Sequence, residues 1–182
     1  MSRLSIPAVV DAPAASQPLL AVVHKKLGVV PNLMKLLGQS PAALEGYLSL
    51  SGALDKGVLN AKLRESLALS VAEFNGCDYC LAAHSYIGKN LVKLTDDEIA
   101  QARDGRAADA RNDAALRFAQ RVAAERGRVL DADIAALRAA GFSDAETVEI
   151  VLHVALNVLT NYVNNVAHTD VDFPRVSAHT HA

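Results

Sequence analysis

Tryptophan is absent from this sequence, and aromatic residues make up only 4% of it. That scarcity removes the stacking platforms on which single-stranded nucleic acid lies and the aromatic belts that mark a membrane interface. An excess of charge of one sign is missing as well. Eighteen Lys and Arg face 20 Asp and Glu, a formal net charge of −2, so there is no broad basic footprint for nucleic acid or an anionic membrane. No uninterrupted apolar run approaches the length of a membrane span. Cysteine is confined to Cys77 and Cys80, too few for the disulfide framework of a small secreted domain. Near the start, Pro7, Asp11 and Pro13 break any stretch that could act as a secretory signal. The expectation is a cytoplasmic protein with no nucleic-acid and no membrane partner.

What is present is aliphatic. Hydrophobic residues are 51% of the 182 and charged residues 21%, which excludes global disorder. A chain of this size buries roughly two-thirds of its unfolded surface, enough for one core built from Leu, Val, Ile and Ala without metal or disulfide staples. The spacing predicts helices throughout. Residues 1–19 read as an irregular arm, 20–168 as one helical domain and 169–182 as an extended polar tail containing Pro174, His179 and His181.

Within the helical part, Leu19 to Leu27 is closed by Gly28, Asn32 to Leu37 adds a short helix, and Pro41 opens the next, through Leu54. Asn60 caps a segment in which Leu63, Leu67, Val71 and Phe74 form an apolar stripe, ended by Asn75-Gly76. A helix follows from near Asp78 to Asn90. Thr95 with Glu98, and Ser143 with Glu146, are capping-box patterns. Asp109 to Glu125 forms a further helix, and Asp131 is read as the cap of another ending before Gly141. Val148 to Val166 is long, apolar and free of Gly and Pro, suited to a central or subunit-interface position. With no strict two-residue alternation anywhere, the fold class is all-α.

Chemistry concentrates in Cys77-Asp78-Tyr79-Cys80, which straddles a predicted helix start. Two cysteines at this spacing across a helix start come within disulfide reach, and so short a loop makes a poor structural staple, so a redox pair is the better reading than two buried thiols. The terminal field of the helix favours Cys77 as the thiolate. His84, four residues beyond Cys80 on the same face, favours Cys80 by offering a base for its proton. Direct proton transfer outweighs the small difference in terminal field, which assigns Cys80 as nucleophile and Cys77 as resolving thiol. Glu65 lies ten residues before the Asn75-Gly76 break, about 15 Å of helix, and His84 eight residues after it, about 12 Å. If those helices pack antiparallel, the carboxylate reaches the imidazole and holds its tautomer. Glu73 is read as surface, or as an alternate relay member.

The run Glu65–x11–Cys77–x2–Cys80–x3–His84 resembles the alkylhydroperoxidase AhpD branch of the carboxymuconolactone decarboxylase-like family. The string VAEFNGCDYCLAAH carries the likeness, with GVVPNLMKLLGQSP and LRESLAL similar to a peroxidase-related subgroup. The resemblance spans about residues 28–168. It implies a compact helical bundle, assembly into a homotrimer or homohexamer, and reduction of an organic hydroperoxide or hydrogen peroxide with no cofactor. It also implies reset by an external dithiol reductant, in the resembled enzyme a lipoylated protein. Cys80 matches the peroxidatic cysteine, Cys77 the resolving one, His84 the base and Glu65 the outer end of a proton relay. Tyr79 stands where that branch carries a second relay histidine, and a phenol does not serve as a neutral-pH base in the same way.

His153, Asn157, Asn161, Asn164 and His168 recur along one side of the last long helix. His153, Asn157 and Asn161 are secondary site candidates. The whole seam suits a hydrogen-bonded interface or a solvent-facing edge, the latter above all for Asn164 and His168. Three other functions compete. A lactone-acid lyase would need a basic cluster to hold a carboxylate, for which only Arg64 offers itself. A protein thiol–disulfide oxidoreductase shares the same chemistry. A zinc-held interaction module would use Cys77, Cys80, His84 and one further ligand such as His153.

Overall fold

Helix caps and apolar spacing account for most of the architecture. The computed structural model describes residues 2–179, and among them every regular element is helical. Two 3-10 turns, Val9–Asp11 and Ala14–Ser16, precede the α-helices. These are α1 Gln17–Leu27, α2 Asn32–Leu37, α3 Pro41–Leu54, α4 Ala61–Phe74, α5 Asp78–Asn90, α6 Asp96–Arg103, α7 Ala110–Ala124, α8 Asp131–Ala139 and α9 Asp144–Ala167. The Asn60 side chain accepts from Leu63 N at 2.9 Å and starts α4. Thr95 with Glu98, and Ser143 with Glu146, close reciprocal boxes at the starts of α6 and α9. Each satisfies amide donors that a helix start would otherwise leave bare.

Two helix starts differ from their expected positions. Helix α1 begins at Gln17, not Leu19, because the Gln17 side chain turns back to donate to Val9 O and Ala12 O. The arm before it is ordered: Ala12 and Ser16 are buried, and Ser16 Oγ donates to Gly38 O at 2.7 Å. At α8 the capping position is Leu130, one residue before the expected Asp131, and the Asp133 carboxylate receives the Leu130 amide at 2.8 Å. Asp131 is the first helical residue, with its charge in the favourable first turn.

Helix α4 is the hub, packed against α5, α6, α7 and α9. Leu63, Leu67, Leu69 and Val71 along it are almost wholly buried, with Leu116 of α7, Leu137 of α8 and Ile150 of α9 in the same cluster. Each such side chain contributes about 1.5–3 kcal/mol through removal from water. A single core therefore joins the elements into one domain. Helix α9, 24 residues long, lies beside α4 and α5 and spans about 36 Å. Among the described residues no helix is long and apolar enough to cross a membrane.

Candidate active site

The turn at Asn75-Gly76 sets the geometry. Gly76 has φ +60°, a left-handed conformation that glycine adopts without steric cost, and it lets the chain reverse between α4 and α5. Cys77 follows in extended backbone as the N-cap of α5, its sulfur accepting from Cys80 N at 3.3 Å. Cys77 and Cys80 are joined by a disulfide with Cα atoms 5.3 Å apart. Both are buried, Cys77 completely.

One helical turn further, His84 Nδ1 meets Glu65 Oε1 of α4 at 2.7 Å. The reversal brings the two residues to the same level, as the helix lengths predict. Gly88 of α5 lets Leu94 pack closely beside the pair, since a Cβ there would lie 3.2 Å from Leu94 Cδ1. Burial works against the charged imidazole. The Glu65 carboxylate more than offsets it, by charge and by hydrogen bond, and holds His84 above its ordinary value. With Nδ1 engaged, Nε2 is the nitrogen left to exchange a proton with a thiol.

The contact to Cys80 comes from an unexpected direction. Asn164 of α9 donates from Nδ2 to Cys80 Sγ at 3.3 Å and is itself buried. This overturns its reading as a solvent-facing residue; only its place in the polar seam hinted at a role. Asn161 is buried as well and accepts from Asn75 Nδ2 at 2.9 Å, while Asn165 donates to Asn75 O. The seam thus ties α9 to the turn that precedes Cys77. His153 and Asn157 are also buried, but they stand about 16 Å and 10 Å back along α9 from Asn164. Asn157 donates to His153 O, and burial with the nearby Arg64 charge holds His153 below its usual value. His168 is exposed and closes α9 in left-handed backbone, φ 48°.

Tyr79 is a brace. Its hydroxyl accepts from Leu33 N at 3.1 Å, its ring stands edge-on to Phe173, and burial pushes the phenol far above its ordinary value. Glu73, expected at the surface, is buried and paired with Arg103 Nε at 2.6 Å. The tail explains this. Residues 169–179 run without regular structure across the first turn of α5, where Ala178 N donates to Asp78 and His179 N to Glu73. Arg103 reaches Ser177 O, and Asn32 N donates to Asp172 at 2.7 Å. The tail is extended, as its composition predicts, but docked; His181 lies outside the described residues.

Two competing chemistries lose their footing here. Arg64 donates to Leu59 O and faces Asp55, so it is committed to the protein and not to a substrate carboxylate. Among the described residues no three or more His, Cys, Asp or Glu side chains converge to hold a metal ion, which the zinc-held module requires.

Comparison with known proteins bears on the family and the fold. Residues 41–125 match the Carboxymuconolactone decarboxylase family. No curated protein matches the chain. A peroxidase-related protein with an alkylhydroperoxidase AhpD core, from Ralstonia eutropha JMP134, superposes with a TM-score of 0.83 at 28% identity, covering 94% of this chain and 92% of that one. A peroxidase-related protein from Silicibacter sp. TM1040 gives 0.80 at 25% identity, covering 93% and 91%. The debrominase Bmp8 shares the fold alone, with a TM-score of 0.74 at 19% identity, covering 94% and 91%.

Proposed function

We propose that the chain is an AhpD-like, peroxidase-related member of the carboxymuconolactone decarboxylase family and that it works as a thiol-dependent peroxidase. It reduces organic hydroperoxides, and hydrogen peroxide, through a Cys77–Cys80 dithiol–disulfide cycle. The observation that carries this reading is a disulfide at the start of α5, one turn from a Glu65–His84 pair at 2.7 Å. His84 takes the proton of Cys80. The thiolate attacks the terminal oxygen of ROOH, the O–O bond breaks, and the alkoxide leaves with the imidazolium proton as ROH. Cys77 then displaces water from the sulfenic acid and forms the disulfide.

Enclosure of both sulfurs favours this reaction over protein thiol–disulfide exchange. A peroxide oxygen is small enough to reach a buried sulfur in line, whereas a cysteine on a folded protein surface is not. The same enclosure suits a reductant that presents its dithiol on a slender arm, as a lipoylated protein does. A cytoplasmic setting, where such reductants operate, completes the proposal.

Self-association belongs to the outer face of α9. Val148, Leu152, Ala155, Leu159, Tyr162 and Val166 are exposed there at alternating spacings of four and three. Beyond Glu149 the helix carries no Asp, Glu, Lys or Arg. An uncharged heptad stripe meets a second copy of itself without like-charge repulsion, and a homotrimer or homohexamer built on it buries the face. Leu159→Lys should lower the mass measured by light scattering to that of a smaller assembly.

The activity is tested by adding one equivalent of hydroperoxide to the reduced protein and counting thiols. Both should disappear with formation of an intramolecular disulfide. An unchanged count refutes the peroxidase reading.

A further inference from the structure

We infer that Asn164 is a catalytic residue of the peroxide-reducing site, with its amide N–H stabilising the Cys80 thiolate and its carbonyl accepting the hydroxyl of the transferred oxygen. The inference rests on the proposed peroxidase reaction and adds a group to it. Asn164 is 2% exposed, and its Nδ2 lies 3.3 Å from Cys80 Sγ. Its Oδ1 is enclosed and has no hydrogen-bond partner among the described residues. Such an acceptor is costly, because burial strips it of water and nothing replaces the lost hydrogen bond. An apolar side chain would pack the same site without that cost. The adjacent Asn161 and Asn165 bind Asn75 and fix α9 against the turn before Cys77, so the amide is held in place next to the sulfur.

Each half of the amide has a use. A disulfide sulfur is a weak acceptor and a thiolate a strong one, so the N–H bond tightens when Cys80 ionises and favours the ionised form. As the thiolate attacks, the new S–O bond forms on the oxygen that carries the peroxide hydrogen. That O–H donates to Oδ1 in the peroxide and again in the sulfenic acid. Sulfur loses two electrons, the O–O bond takes them, and the departing alkoxide collects the proton stored on His84. When the disulfide is reduced again by an external dithiol, the same N–H stabilises the Cys80 thiolate as it re-forms, as the Cys80 amide does for Cys77 Sγ.

The test begins without peroxide. In a Cys77→Ser background, thiolate absorbance of Cys80 is titrated for Asn164, Asn164→Leu and Asn164→Asp. Loss of a hydrogen bond to a charged group should move the midpoint up by about 1 pH unit in Asn164→Leu. Asn164→Asp, which keeps the shape and adds a negative charge, should move it further. Folding of each variant is checked by circular dichroism. Unchanged midpoints in folded variants overturn the role of the N–H. Should the variants fail to fold, 15N-labelled protein carrying only the Cys77→Ser change gives the answer: the Asn164 side-chain amide should shift with the Cys80 titration, and a flat response overturns the role. Above both midpoints, where Cys80 is fully ionised, Asn164→Leu should still react with hydroperoxide about tenfold more slowly, the equivalent of one lost hydrogen bond. Equal rates there remove the carbonyl from the transfer. These titrations stand even if the unaltered protein fails to consume hydroperoxide, so failure of the inference and failure of the peroxidase reading are distinguishable.

Discussion

At the scale of single residues, the controlling quantity is how much charge a buried group is allowed to keep. His84 retains a raised affinity for its proton because Glu65 outweighs desolvation. A group whose folded value lies above its ordinary 6.5 contributes stability below that ordinary value and loses it as pH rises through the folded one. Urea melts should therefore show the largest difference between the native protein and Glu65→Gln near about pH 6, shrinking by about pH 9. The same substitution removes support for the imidazolium that the proposed mechanism pairs with Cys80. Its pH–rate profile for thiol alkylation should move to higher pH, and a superimposable profile would take Glu65 out of the mechanism. Asn164 is the opposite case: a neutral side chain whose importance comes from where it points. Polar residues on a long helix suggest a seam, but the sulfur it serves lies 84 positions away in the chain.

At the scale of elements, the site is the product of one helical hairpin. Helix α4 supplies Glu65, the turn supplies the reversal, and α5 supplies Cys77, Cys80 and His84. The conformation of Gly76 is what joins them. A Cβ built there meets nothing within 4 Å among the described residues, so Gly76→Ala tests backbone strain. It should destabilise the fold by about 1–2 kcal/mol in a denaturant titration, the cost of holding an L-residue in left-handed backbone. The ends of α4, α6 and α9 are capped by side chains three residues from the amides they satisfy. Interactions that local are legible from spacing. Asn60→Ala should accordingly cost about 1 kcal/mol by the same titration.

At the scale of the whole molecule, the tail and the arm bring distant segments around the hairpin. Glu73 is buried because Arg103, 30 residues on, neutralises it. Replacing that arginine by methionine strands a buried carboxylate and should cost about 3 kcal/mol, read as a fall in melting temperature. Phe173 anchors the tail between Tyr79, at 5.8 Å, and Tyr86, at 5.9 Å. A hollow of about 180 Å³ remains between the tail and Asp78. Phe173→Ala should loosen the tail and speed reduction of the disulfide by a small dithiol about tenfold, on the scale that aromatic pairs contribute. An unaltered rate would show that the tail does not guard the sulfurs.

The amino-acid sequence by itself determined the helices, most of their ends and the level at which Glu65 meets His84. Those features depend on hydrogen bonds and side-chain spacings within a few turns of chain, and on counting residues either side of one break. Only the tertiary structure decided that Glu73 and Asn164 are buried, that Tyr79 braces α2, and that the polar tail docks on α5. Burial is set by partners that arrive from elsewhere in the chain, and a polar side chain reads the same in sequence whether water or a sulfur atom waits beside it.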